Sequence, residues 1–123
     1  MEIKSYRDLR VWQSGMDLVV MVYEVSQKFP QKEVYGLASQ IQRATVSVPS
    51  NIADGHTREH TKEYLFHLSV AQASLAEVET QIEIAFRLKY CTKEELDKIL
   101  THSTSLGKQL YSLRNALQAK SSK

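Results

Sequence analysis

A heptad repeat in the second half of the chain most strongly limits what this sequence can fold into. Alternating steps of four and three separate its apolar and small residues over three heptads, at Tyr64, Leu68, Ala71, Leu75, Val78, Ile82 and Ala85. This spacing puts all of these side chains on one face of an α-helix, whereas a half-buried strand needs a period of two. The repeat therefore predicts a long helix with one buried face.

Helical spacing also dominates the rest of the chain, where the 4 Gly and 2 Pro fall at few places and strand-like alternation is almost absent. Pro30 is expected to end the first helix, because proline pushes the residue before it out of the α region. Pro49 is expected to kink or break the second helix, and Gly55 to cap its C-terminal end. The four predicted helices cover about 7–29, 36–54, 61–90 and 93–119.

A single domain over 1–123 follows, because a chain of 123 residues buries enough surface for one modest core. The short turn between the third and fourth helices forces them to run antiparallel. We therefore predict an all-α fold, an antiparallel up-down-up-down four-helix bundle. The longest apolar run, from Leu18 to Tyr23, is far shorter than the roughly 20 residues that a bilayer requires, so no membrane partner is expected.

The most obvious enzyme with this architecture holds a carboxylate-bridged metal pair, which requires the pattern Glu-x-x-His on its helices. No carboxylate occurs among the residues three positions before the histidines, which are Ala53, Thr57, Tyr64 and Ile99. The HExxH motif and a glycine-rich phosphate loop are also absent. We predict no enzyme, no catalytic residue, no cofactor and no small-molecule substrate. The single Cys91 excludes an internal disulfide, which favours the cytoplasm.

One weaker metal site remains as an alternative, at spacings of 4, 3 and 4, and consists of His56, His60, Glu63 and His67. These side chains would share a helical face only if the helix began at His56. Gly55 and Thr61 instead predict that the helix begins near residue 61, which leaves the first two histidines in a loop. We therefore favour solvated polar side chains over a zinc site and predict no metal.

Charge gives only weak support for nucleic-acid binding, because 16 Lys and Arg residues nearly balance 14 Asp and Glu residues, for a net charge of +2. Two local clusters, Arg7 with Arg10 and Arg58 with Lys62, are candidates for phosphate contacts. Neighbouring carboxylates offset each cluster. An RNA- or DNA-binding protein is therefore the alternative interpretation.

The absence of charge from the first two helices is more informative. Asp17 and Glu24 are the only charged residues from Val11 to Val25, and Arg43 and Asp54 are the only ones from Tyr35 to Asp54. A solvated helix rarely carries so few charges, and a chain of this size has nothing left to cover these helices except another copy of itself. We predict self-association, with a merely polar, solvated face as the alternative.

Three segments resemble one known family. They are Gln40 to Gly55 (QIQRATVSVPSNIADG), Tyr6 to Trp12 (YRDLRVW) and Ala71 to Gln81 (AQASLAEVETQ), in the order found in four-helix bundle proteins encoded in bacterial 23S rRNA intervening sequences. The resemblance covers about Tyr6 to Leu117. It implies a left-handed bundle that assembles into a ring-like homopentamer without known catalytic activity. A related branch, the accessory proteins of diversity-generating retroelements, forms similar pentamers that bind nucleic acid and the reverse transcriptase.

The leading prediction is therefore a non-enzymatic, homo-oligomeric scaffold or binding protein in the cytoplasm. Arg43 needs a carboxylate partner if its helix is covered, and we predict that it pairs with Glu77 or Glu79, within or between subunits. The structural or interface candidates are Trp12, Arg43, Ser47, Pro49, Asn51, Glu77 and Glu79. In the alternative interpretation, the candidate phosphate contacts are Arg7, Arg10, Arg43, Arg58 and Lys62.

Overall fold

The computed structural model describes residues 2–121, which form four α-helices and two short 3₁₀ turns and no strand. The 3₁₀ turns are Tyr6–Asp8 and Gln31–Glu33. The helices are α1 (Arg10–Ser26), α2 (Leu37–Thr57), α3 (Thr61–Arg87) and α4 (Lys93–Ser121). None of these helices is both long and apolar enough to cross a membrane.

The helices pack as a bundle in which α1 contacts α2 and α4, and α3 contacts α2 and α4, so the prediction of an all-α four-helix bundle is confirmed. Hydrogen bonds between α2 and α3 show that these two helices run antiparallel. Ser47 bonds Ser74, and Asn51, which comes later in α2, bonds His67, which comes earlier in α3. The left-handed sense of the bundle remains a prediction.

The core runs along the bundle axis and is built from one apolar face of each helix. Its fully buried large side chains are Leu18, Val22, Ile41, Val48, Ile52, Leu68, Val78, Ile82, Ile99, Leu106 and Leu110. Four polar residues are also buried, namely Ser26, Thr45, Ser74 and Ser103. The heptad positions predicted on α3 from Leu68 to Ala85 all belong to this core.

The first helix is shorter than the predicted range of 7–29. Asp8 accepts hydrogen bonds from the backbone amides of Lys4 and Ser5, which closes a separate 3₁₀ turn, and Leu9 is extended (φ −77°, ψ 129°). The α-helix therefore begins at Arg10. It ends at Ser26, because the following amides bond carbonyls only three residues back as the chain approaches Pro30.

The predicted break at Pro49 and the predicted cap at Gly55 are both wrong, because neither residue ends the second helix. It runs unbroken to Thr57, with both residues buried inside it. A Cβ atom added to Gly15 of α1 would lie 3.4 Å from Cβ of Pro49, so α1 packs closely over the proline ring. This contact offsets part of the roughly 3 kcal/mol that a proline costs inside a helix.

The last two helices meet at a tight turn. Helix α3 ends at Arg87, three residues before the predicted boundary, in a Schellman motif: the amide of Tyr90 donates to the carbonyl of Ala85, and that of Lys89 to Phe86. Lys89 takes the left-handed conformation that this motif requires (φ 67°). Thr92 and Glu95 then form a reciprocal capping box that starts α4.

Candidate interaction surface

An exposed apolar stripe follows the outer side of α1. Met16, Val20 and Tyr23 are all exposed, and Val20 retains 56% of its accessible surface. Their spacing of four and three places them on one line along the helix, away from the core positions Leu18 and Val22. We call these three residues the α1 stripe.

The contact between α1 and α2 holds the α1 stripe beside the outer surface of α2. Gly15 and Pro49 pack against each other in its middle. Near the other end, the Gln42 amide donates a hydrogen bond of 2.9 Å to the buried hydroxyl of Ser26. Since Gly15 immediately precedes Met16 and faces α2, the stripe begins at the edge of this contact.

A polar seam joins α2 and α3, and consists of Ser47, Asn51, His67 and Ser74. The Ser74 hydroxyl, in a side chain that is buried, donates to Ser47 Oγ at 2.8 Å. The Asn51 Nδ2 atom donates to both the carbonyl and the hydroxyl of Ser47, each at 2.9 Å. Ser47, Asn51 and Ser74 are thus hydrogen-bonded to one another without a charged residue between them.

The hydrogen bonds of the seam also determine which ring nitrogen of His67 carries a hydrogen. Because Nδ2 of Asn51 already donates to Ser47, its Oδ1 atom faces Nδ1 of His67 at 2.9 Å, so Nδ1 must carry the hydrogen. The Nε2 atom lies 3.4 Å from Oδ2 of Asp54, and the His67 side chain is 15% exposed. His67 is therefore a structural residue between two helices, which corrects the expectation of a solvated side chain.

Arg58 closes the end of the seam. Its guanidinium contacts both carboxylate oxygens of Asp54 at 3.3 Å and one oxygen of Glu63 at 3.5 Å. The hydrogen bond from Arg58 holds the pKa of the Asp54 carboxyl below its usual range, and that of Arg58 is raised by the same bond. Arg58, a predicted phosphate contact, is thus already paired with two carboxylates, and the neighbouring Lys62 is exposed.

Arg43 does not form the predicted ion pair within the chain. It is exposed on α2 without a hydrogen bond or ion pair to any residue among 2–121. Glu77 is exposed, and Glu79 instead accepts a hydrogen bond of 2.6 Å from the buried hydroxyl of Ser103. The pairing within one chain is therefore wrong, and the pairing between subunits stays a prediction.

The N-terminal candidates lie at the opposite end of α1 from the loop to α2. The guanidinium of Arg7 lies 5.4 Å from the ring centre of Trp12 and 5.6 Å from that of Tyr6. Trp12 is half-buried and meets the Tyr6 ring edge-on. Arg10 is exposed at the first position of α1, and lines a shallow groove with Lys108. These cations are separated from Arg43, so the five predicted phosphate contacts do not form one patch.

Two features of the described residues concern a metal ion and the only cysteine. Among residues 2–121, no three His, Cys, Asp or Glu side chains are grouped so that they could hold a metal ion. Burial raises the pKa of the half-buried Cys91 thiol, with a smaller contribution from Glu95, which disfavours the nucleophilic thiolate.

Sequence reasoning did not single out Met16, Val20 and Tyr23 as an exposed line, because apolar spacing alone does not say which side of a helix lacks a neighbour. It also missed that Gly55 and His67 lie where α2 and α3 approach each other, since a Cβ atom on Gly55 would lie 2.8 Å from Cβ of His67. A glycine at such a contact looks the same in the sequence as a glycine that caps a helix.

Comparisons with known proteins bear on the family and the fold. The family model for the 23S rRNA-intervening sequence protein matches residues 7–112. A crystal structure from Bacteroides thetaiotaomicron, described as a protein with unknown function from the S23 ribosomal protein family, superimposes with a TM-score of 0.79 at 22% identity. That match covers 85% of this chain and 97% of the other, and at this identity it shows the fold alone. No curated protein matches the chain.

Proposed function

The chain belongs to the 23S rRNA-intervening sequence protein family, and we propose that it is a non-enzymatic helical-bundle protein that associates with copies of itself and serves as a scaffold or binding module. The observation that carries this proposal is the α1 stripe. The stripe consists of three large apolar side chains in one line, on a helix with only two charges in its central part. A protein partner typically covers a surface of this kind.

The surroundings of the α1 stripe support the same proposal. The neighbouring outer surface of α2 carries Ser39, Val46 and Ser50, with Arg43 as the nearest charge. Interfaces between copies are depleted of charge at their centres and enriched in Tyr and Met, which this surface also presents. We propose the cytoplasm as its location, because the only cysteine is unpaired. The proposed number of copies, five, comes from the family resemblance.

The test is the mass of the protein in solution, measured by light scattering during size exclusion over a range of concentrations. The proposal expects an assembly, at five times the 14.1 kDa of one chain if it is a pentamer. Val20→Glu should shift the mass toward one chain, because a buried carboxylate without a partner opposes association. The matched control is Tyr111→Glu, on α4, since Tyr111 is exposed to a similar degree (60%) and lies outside the stripe. A wild-type mass of one chain at every concentration would refute the proposal.

We leave RNA and DNA out of the proposed partners, because the candidate cations are either engaged or dispersed. Arg58 is bound to two carboxylates and Arg7 lies over aromatic rings. Titration of a labelled RNA at low and moderate salt tests this choice. Tight binding that weakens steeply with salt, and that Arg10→Ala and Lys62→Ala reduce, would restore the nucleic-acid interpretation.

A further inference from the structure

A groove lies on the outer side of the contact between α1 and α4. Its floor is apolar and consists of Leu9, Val11 and Leu113, which belong to the core or pack against it. Two cations also line it, Arg10 at the start of α1 and Lys108 on α4. Its volume of about 420 Å³ falls within the roughly 300–1,000 Å³ that small-molecule sites occupy. We call it the α1–α4 groove.

The two cations lie at one end of the groove, and the apolar floor extends away from them. Nε2 of His102 on α4 donates to the carbonyl of Ser14 on α1 at 2.8 Å, and the two helices run in opposite directions. Arg10, one turn before Ser14, is therefore level with the part of α4 that leads from His102 to Lys108. Leu113 lies five residues beyond Lys108, about 7.5 Å further along the helix. An anionic group between the cations thus leaves room for an apolar chain along the floor.

Neither cation has a carboxylate partner in the fold. Arg10 and Lys108 are exposed, and they form no ion pair with any residue among 2–121. Lysines near the start of α4 are different, because Lys28 is paired with Glu95 and Lys93 with Asp97. The contact between α1 and α4 therefore has one end where charges are neutralised and one end where they are not.

The surroundings of the groove contain few acids. From residue 98 to residue 121, α4 has no Asp or Glu. Asp8 precedes the groove, but its carboxylate accepts hydrogen bonds from the backbone amides of Lys4 and Ser5 at 2.9 and 3.3 Å. Asp17 lies two turns along α1 from Arg10. The positive charge at the groove is therefore available to a ligand.

From this combination of an apolar floor and two cations without a partner, we infer that the α1–α4 groove binds a small amphiphilic anion, a free carboxylate on a medium-length apolar chain. Charge-assisted hydrogen bonds from Arg10 and Lys108 hold the carboxylate. The chain lies on the floor of the groove and removes its apolar surface from water. Binding at this site does not depend on the proposed self-association, because the α1 stripe is formed by other residues.

The small extent of the apolar surface favours such a ligand over a protein partner. Stable protein interfaces bury about 1,200–2,000 Å² in total. Gln109 and Ser112, which line the groove beside its floor, are polar and exposed. The exposed large apolar side chain of α4, Tyr111, lines the groove towards α3 instead. The floor is therefore not part of a wider apolar face.

Calorimetric titration of the whole chain with octanoate tests the ligand class. Octylammonium, with the same chain and the opposite charge, and acetate, with the same head group and almost no chain, should both bind far more weakly. From butanoate to octanoate, each added methylene should raise the affinity about twofold, because a fully buried methylene is equivalent to about fourfold and one side of the chain stays in water. Absence of octanoate binding, or equal binding of octylammonium or acetate, would overturn the inference.

Charge reversal tests the position of the site. Arg10→Glu and Lys108→Glu should each weaken octanoate binding on the order of tenfold, and the double variant should prefer octylammonium. Lys62→Glu is the matched control, because Lys62 is an exposed cation on α3 outside the groove. If this control weakens binding as much as Lys108→Glu, octanoate responds only to net charge and the assignment is wrong. Tighter binding of a trileucine peptide with a free carboxyl end than of octanoate would identify a protein end as the occupant and would also overturn it.

Discussion

Gly55 gives the sharpest test of how α2 and α3 pack. A Cβ atom at this position would lie 2.8 Å from Cβ of His67, 3.1 Å from Cδ1 of Tyr64 and 3.3 Å from the Tyr64 carbonyl oxygen. The first and last of these atoms belong to the stem of a side chain and to the backbone, so they cannot rotate away. Gly55→Ala must therefore push the two helices apart where the seam residue His67 holds them together.

The expected magnitude follows from opposing terms. Alanine in place of glycine inside a helix gains about 1 kcal/mol of helix propensity. Overpacking at a tight contact costs about 1–3 kcal/mol, and the hydrogen bond between His67 and Asn51, which the shift would lengthen, contributes about 1 kcal/mol. We expect Gly55→Ala to lower the free energy of unfolding by about 2 kcal/mol.

Gly15→Ala is the matched control, because its Cβ would meet Pro49 at 3.4 Å, an ordinary contact. This variant should keep most of the gain in propensity and be up to about 1 kcal/mol more stable than the wild type. Urea denaturation followed by circular dichroism measures both, at one fixed protein concentration since association shifts the midpoint. If Gly55→Ala is as stable as Gly15→Ala, the close approach of α2 and α3 is not what requires the glycine.

Three further changes test single contacts. Thr45→Val should raise the free energy of unfolding by about 1 kcal/mol in urea denaturation, because the fully buried Thr45 hydroxyl has no hydrogen-bond partner within residues 2–121. Lys89→Gly should raise the melting temperature, with a gain of about 1 kcal/mol, because glycine adopts φ 67° without strain, and an unchanged melting temperature would argue against the Schellman turn. Hydrogen bonds from the amide of Leu37 and the hydroxyl of Tyr90 lower the pKa of the Glu33 carboxyl from its usual value of 4.5. The contribution of Glu33 to stability should therefore be present above pH 4.5 and be lost as the pH falls through the lowered pKa. Between pH 6 and pH 3, the melting temperature of Glu33→Gln should fall less than that of the wild type.

Much of the fold is readable from the sequence because its strongest signals are local. The heptads of α3 and the end of α1 before Pro30 depend on residues within a few turns of one another. Gly55 is different, because a glycine that caps a helix and one that admits a neighbouring helix are the same residue in the sequence. Only the position of His67 and Tyr64 across the interface distinguishes the two.

In the candidate site, too, local sequence signals were readable and contacts between helices were not. Sequence spacing identified Arg43 as a cation in need of a carboxylate, but it could not say which surface of the bundle would face it. The nearest acidic residues along α3, Glu77 and Glu79, were the natural choice. Glu79 is engaged by Ser103 instead, at a distance of 24 residues in the chain, which no local pattern encodes.

The structure also changes which helix carries the argument for association. Part of the low charge of α2 has an explanation within the chain, because Ser47 and Asn51 face α3 and exchange hydrogen bonds with Ser74 and His67. A charged residue in that seam would be buried against α3, so few charges there are expected even in a monomer. Within residues 2–121, no helix covers the exposed α1 stripe in this way. Substitutions on α1 should therefore change the mass of the assembly, whereas substitutions in the seam should change the stability of each copy.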